Sequence, residues 1–398
     1  MYRATRGQRP TPRPLPDYAV DLRLPQTAEE TRQRAVAWLE KWLFENAAEI
    51  EDRRLDLDFR RAYQRDAYDA GWLVPSWPIG EGGHGVDEET ALWVKVDFAR
   101  RDAPKLPNVQ GPGVVAEALI GFGTEEQRRH IRPVARGDVW WCLGMSEPES
   151  GSDLASLRTR AIRSEGCFRI DGQKVWTSHA QESEYCLLFA RTGSRDSGRR
   201  GISTLIVPMD TPGITVRPIE KIGVEDEVFC EVFFDAVEVP ESALVGPLDG
   251  GWKVAMASLN HERDMVWIMN LVEIESALRT IGNELRGHPR PELSLELAAL
   301  RADADSIWLT GLRGVAQRMN GRPDHETTRL KLFSTEAAQR AFLLASRTLA
   351  PDSAIFRERG HGGGIAAGEL EALGATLYGG TSEIQRNIIG ERVLGLPR

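Results

Sequence analysis

The spacing of apolar residues changes twice along this chain, and that change limits the fold more than any other feature. From about Ala28 to Val139 the spacing is helical. In "AEETRQRAVAWLEKWLFENAAEI", Ala35, Trp38, Leu39, Trp42 and Leu43 form the stripe of a helix that buries one face. "FRRAYQRDAYDAGWLVP" reaches Gly71 as a C-cap, and Thr124 stands before acidic residues as an N-cap. "DEETALWVKVDFARRDA" and "GPGVVAEALIGFG" read as further helices. From about Trp140 to Gly246 the segments become short, β-branched and aromatic, as in "YCLLFART", "ISTLIVPM", "GITVRPI" and "VFCEVFFDAVEVP". Within "CFRIDGQKVWTS", Asp171-Gly172 lies between alternating runs and predicts a hairpin turn. After "VGPLDGGW" helical spacing returns and continues to the end.

Helices, then strands, then helices is not the alternation of a doubly wound nucleotide-binding fold. It predicts an α+β protein with an N-terminal helical domain over 26–139, a central β domain over 140–246 and a C-terminal helical domain over 247–398. The first 25 residues are rich in Arg and Pro and predict a flexible extension, not a secretory signal.

Over 398 residues, a formal charge of −9 argues against general affinity for nucleic acid or an acidic membrane. No apolar run approaches the roughly 18–20 residues that span a bilayer. The four cysteines, Cys142, Cys167, Cys186 and Cys230, fit no metal or redox spacing and read as buried free thiols in a cytoplasmic protein. The seven histidines form no metal-ligand set. "EGGHG", Glu81 to Gly85, precedes no Lys-Ser/Thr and reads as a turn, not a phosphate loop.

The densest motif is "GMSEPESGSDLAS", Gly144 to Ser156, followed by "GQKVWTSHA", "GGWKVAMASLNHER" and "LYGGTSEIQRNIIGERVLGLPR". In content, order and spacing these resemble the signatures of acyl-CoA dehydrogenases. The resemblance covers nearly the whole chain and is weakest before residue 26 and from about Arg279 to Arg301. It implies a central β-barrel or sandwich, a C-terminal four-helix bundle, and FAD between the two. A flavin that accepts hydride needs donors along one ring edge and a flat apolar surface against one face. The resemblance assigns these roles to Leu143, Met145, Ser146, Gly151, Ser152, Trp176, Ser178, Thr381 and Glu383. Ser146 and Ser178 would donate to the ring edge, and Trp176 would lie against the ring. Ser152 would also meet the pantetheine arm of the thioester, and Thr381 the ribityl–pyrophosphate region. A carboxylate beside a pyrophosphate is unfavourable, so Glu383 fits direct contact less well.

The implied reaction removes an α-proton and a β-hydride from an acyl thioester, on coenzyme A or on a carrier protein, to give the trans-2-enoyl thioester. It needs a base and support for the enolate oxygen. In many family members a glutamate at the position of Gly379 is the base. Here "LNHERDMV" supplies Glu262, at the base position of isovaleryl- and long-chain acyl-CoA dehydrogenases. Gly379 keeps its N–H, which in the family helps hold the thioester carbonyl. From the residues alone, Glu262 could also be a surface acid paired with Arg263 or His261. Met265, Val266 and Met269 share its helix face at about 100° per residue and, with Arg263, are candidates for the substrate site. Trp267, about 140° away, is expected to pack on another helix.

Two departures concern assembly. An Arg-x-x-Phe-Gly motif that reaches a neighbouring subunit's flavin in many members is missing from "LRTIGNELRGHPRPELSLELAALRA". A Gln-x-x-Gly-Gly-x-Gly segment has only a loose substitute in "RERGHGGGIAAGELEAL". A homodimer, a homotetramer and a heteromer therefore all stay open, with electron-transfer flavoprotein as the implied electron acceptor. A non-catalytic partner subunit and a flavin monooxygenase on the same fold are the competing functions.

Overall fold

The computed structural model describes residues 24–54, 56–222, 228–322, 326–350 and 364–397, with the side chains of 258–265, 326 and 327 outside that description. The Arg/Pro-rich extension falls almost wholly outside the described residues.

The N-terminal region is helical: α1 (Gln26–Glu45), α2 (Ala47–Arg53), α3 (Leu57–Asp69), α4 (Glu88–Arg100), α5 (Ala116–Phe122), α6 (Glu125–Arg128) and α7 (Ile131–Arg136). Ala35, Leu39 and Trp42 of α1 are buried against Phe59 and Tyr63 of α3 and Val94 and Phe98 of α4, as the stripe requires. Gly71 lies just past α3 at φ 80°, and Thr124 forms a capping box with Gln127 at the head of α6. The segment before α5 departs from a plain helix: Gly111–Val115 is a buried π-turn.

Among the described residues eight strands follow: β1 (Trp141–Gly144), β2 (Arg160–Ser164), β3 (Cys167–Ser178), β4 (Tyr185–Arg191), β5 (Ile202–Pro208), β6 (Ile214–Ile219), β7 (Phe229–Pro240) and β8 (Leu244–Val245). They form one sheet in the order β6-β7-β3-β2-β4-β5-β8, with β1 parallel to β4. Asp171-Gly172 is not a hairpin turn. β3 runs straight through it, and the turn between β2 and β3 is Glu165-Gly166, with φ 45° and 85°. Asp171 instead accepts a hydrogen bond from the Ala236 N–H at 2.9 Å, and Gly172 marks a register shift against β7. Gly172 is needed there because a Cβ would approach Thr159 to 2.6 Å. Of the cysteines, Cys142, Cys186 and Cys230 are buried free thiols; Cys167 is only half-buried, near the start of β3.

The C-terminal region consists of α8 (Gly251–Gly287), α9 (Pro291–Met319), α10 (Glu326–Leu349), α11 (Gly364–Ala375) and α12 (Ser382–Ile388). Their shared core includes Leu271, Ile274, Leu300, Ile307, Leu330 and Ala341. Trp267 packs as expected, against α9, where a Cβ on Gly311 would come within 2.3 Å of its indole. Among the described residues no helix is long and apolar enough to cross a membrane.

Candidate active site

The loop from Gly144 to Ser156 leaves the end of β1 and is fastened to β3. The Val175 N–H donates to the Ser146 carbonyl at 2.9 Å, and the Lys174 ammonium donates to the Met145 carbonyl at 3.0 Å. Lys174 is fully buried, an expensive place for a charge unless it is paired. Its partner is Glu147, at 2.8 Å. The Glu147 carboxylate also accepts from the N–H groups of Arg158 at 2.6 Å and Thr159 at 2.8 Å. Burial by itself would raise the Glu147 carboxyl. The Lys174 charge and the donated hydrogen bonds outweigh burial and hold it below the usual carboxylate range. Burial pulls the Lys174 ammonium below its ordinary value, against the opposing pull of Glu147.

This clamp brings two of the motifs together. Leu143 and Met145 are half-buried against the core formed by Trp141, Leu187 and Phe189. Ser146 is half-buried, and Gly151 and Ser152 are exposed. Just beyond Lys174, β3 bulges against β7. Trp176 occupies the bulge at φ 59°, a strained conformation for a bulky residue. The bulge leaves the indole 59% exposed, while Lys174, Thr177 and Ser178 around it are buried. Thr177 Oγ1 is buried with no hydrogen-bond partner among the described residues. Gln110, at the mouth of the π-turn, makes a long contact of 3.5 Å to Ser178 Oγ and joins the N-terminal helices to this end of β3.

The C-terminal motif is a turn between two helices. Gly379 and Gly380 have φ 63° and 94°, values that favour glycine. Thr381 caps α12, its hydroxyl accepting from the Ile384 N–H at 3.2 Å. Glu383 is exposed, and its own N–H and the Thr381 hydroxyl hold its carboxyl below the usual range. Among the described residues no hydrogen bond joins this turn to Ser146 or Trp176. Positions 262, 263 and 265 lie on α8, but the side chains of Glu262, Arg263 and Met265 are outside the described residues. Val266 is half-buried and Met269 is 40% exposed on the same helix.

Reading the sequence missed Glu147, Lys174, Gln110 and a second buried lysine, Lys331. Glu147 and Lys174 stand inside quoted motifs, so the motif itself was the available signal. Nothing in "RLKLF" marks Lys331 as buried.

Comparison with known proteins covers most of the described chain. The models of the N-terminal, middle and C-terminal domains of acyl-CoA dehydrogenases match residues 25–138, 142–237 and 249–394. "Acyl-CoA dehydrogenase IpdE1" of Mycobacterium tuberculosis is 36% identical over 351 residues, covering 85% of this chain and 88% of its own. Among solved structures, "Tcur3481-Tcur3483 steroid ACAD" superposes with a TM-score of 0.83 at 27% identity, covering 95% of this chain and 100% of that one. The "ChsE4-ChsE5 complex from Mycobacterium tuberculosis" gives 0.81 at 29% identity, covering 95% and 100%.

Proposed function

The chain belongs to the acyl-CoA dehydrogenase family, FAD-dependent oxidoreductases, and we propose that it removes two hydrogens from an acyl-CoA with Glu262 as the base. The observation that carries this reading is Trp176, an exposed indole held in a strained bulge beside the Ser146 loop. An open aromatic face, half-buried Met145 and the unpartnered Thr177 hydroxyl suit a flat ring with a polar edge. Ser146, Trp176 and Ser178 would hold the ring, and Thr381 the chain that leads from it. Bound there, FAD would supply an acceptor for the β-hydrogen and its electron pair. Glu262 takes the α-proton on its carboxylate as the C–H electron pair becomes the new C=C bond. The Gly379 N–H, which bonds no acceptor among the described residues, would meet the thioester oxygen and support its developing charge. Glycine at 379 also leaves room for a carboxylate arriving from α8.

A second reading concerns assembly. The missing Arg-x-x-Phe-Gly motif, together with two relatives that are named as two-component proteins, supports a different chain completing the cofactor site. The resemblance to a steroid ACAD supports a bulky polycyclic acyl group as one substrate to test.

The deciding experiment is the visible spectrum of the chain expressed alone, followed by anaerobic addition of straight-chain, branched and steroid acyl-CoAs. A yellow protein bleached by one of them supports the reading. A colourless protein supports a subunit completed by another chain. Flavin that ignores every thioester but reacts with oxygen after chemical reduction indicates monooxygenase chemistry.

A further inference from the structure

Lys331, on α10, is 1% exposed, although nothing in its sequence neighbourhood predicts burial. Its ammonium donates to the Ala375 carbonyl at 3.0 Å and the Gly380 carbonyl at 2.7 Å. Ala375 closes α11, so its carbonyl lies at the negative end of a helix dipole. Gln385, also fully buried, donates to the Gly379 carbonyl at 2.9 Å. The carbonyls of both glycines are thus drawn toward the bundle. A trans peptide points its N–H opposite to its C=O. Holding Gly379 O therefore directs the Gly380 N–H away from Gln385. Holding Gly380 O directs the Thr381 N–H away from Lys331. The N–H groups of Gly379, Gly380 and Thr381 bond no acceptor among the described residues. Two adjacent glycines give a turn little stiffness of its own, so its orientation depends on such anchors.

We propose that Lys331 is a positioning residue for the thioester site. With Gln385 it fixes the Gly379–Gly380 turn so that its N–H edge stays open to the thioester oxygen. This rests on the reading of Gly379 as the oxygen's donor; its N–H lies on the preceding Tyr378–Gly379 peptide, so Lys331 and Gln385 position it indirectly, by holding the next two peptides of the turn. The test uses the FAD-loaded protein, Lys331→Met, which keeps the chain length and removes the donor, and Lys331→Gln, a shorter donor. Two quantities are read: amide hydrogen exchange of the segment 376–385, and the limiting rate of anaerobic flavin reduction by the acyl-CoA that bleaches the parent fastest.

In Lys331→Met, exchange over 376–385 should rise at least tenfold while the Gly144–Ser156 loop and the flavin content stay at parent values. The limiting rate should fall by about 10²-fold, the scale of losing one well-placed donor. Lys331→Gln should fall between Lys331→Met and the parent on both counts, and it supplies both readouts if the Met variant does not fold. Unchanged exchange over 376–385 overturns the proposal, as does a rate loss that only tracks lost flavin. Faster exchange with an unchanged limiting rate also overturns it, because the turn then does not serve the chemistry. Exchange reads the turn without any reaction, so failure of the positioning is distinguishable from failure of the base, which Glu262→Gln tests separately.

Discussion

The loop after β1 and the glycine turn before α12 are both tied down by a buried lysine, but by different means. Lys174 meets a carboxylate, Glu147, which is itself saturated with donors from Arg158 and Thr159. Lys331 donates to two main-chain carbonyls. The first loop is therefore held by a buried ion pair and the second by hydrogen bonds that orient peptide planes. On the proposed function, the difference matches what each would present. The first carries side chains, Ser146 and the neighbouring Trp176, whose placement follows from a locked backbone. The second offers backbone N–H groups, which only the peptide orientation can aim.

The largest effect should come from breaking the ion pair. Lys174→Met leaves Glu147 buried without its counter-charge, a loss of about 3–5 kcal/mol. Flavin release during urea unfolding should move to lower denaturant, by that free energy divided by the urea m-value. Adding Glu147→Gln should recover part of it, because the stranded charge is removed. If the double variant is as unstable as Lys174→Met, the pair does not act as a unit. Lys331→Met strands the Ala375 and Gly380 carbonyls, at a cost of about 1–3 kcal/mol for the lost hydrogen bonds.

A smaller effect sharpens the same contrast. Glu147 is held below the usual carboxylate range, so its stabilisation is present above the unfolded value of about 4.3. It is lost as the pH falls through the lower folded value. Flavin retention should therefore hold down to about pH 4.5 and decline below it, and the double variant should lack that decline. An acid loss identical in parent and double variant would place the titrating group elsewhere.

Much of this was legible in the sequence because it rests on local rules. The α1 stripe, the Thr124 cap and the Gly71 C-cap follow from spacing and from residue chemistry at helix ends. Asp171-Gly172 misled because the same pair that suits a tight turn also suits a kink inside a continuous strand. The true turn, Glu165-Gly166, needs only one glycine and a tolerant neighbour. The buried lysines were not legible because Lys is ordinarily a surface residue, and only tertiary partners such as Glu147 or the end of α11 make burial acceptable. Trp176 was legible as a motif member, but its exposure depends on a bulge set by pairing with β7, far away in sequence.

The central claim is that the base comes from α8 and not from position 379. It is tested most directly by anaerobic flavin reduction in Glu262→Gln under a saturating acyl-CoA. The limiting rate should be about 10²–10⁴-fold below the parent, with flavin content and thioester binding little changed. A Glu262→Gln protein that reduces its flavin as fast as the parent would contradict it.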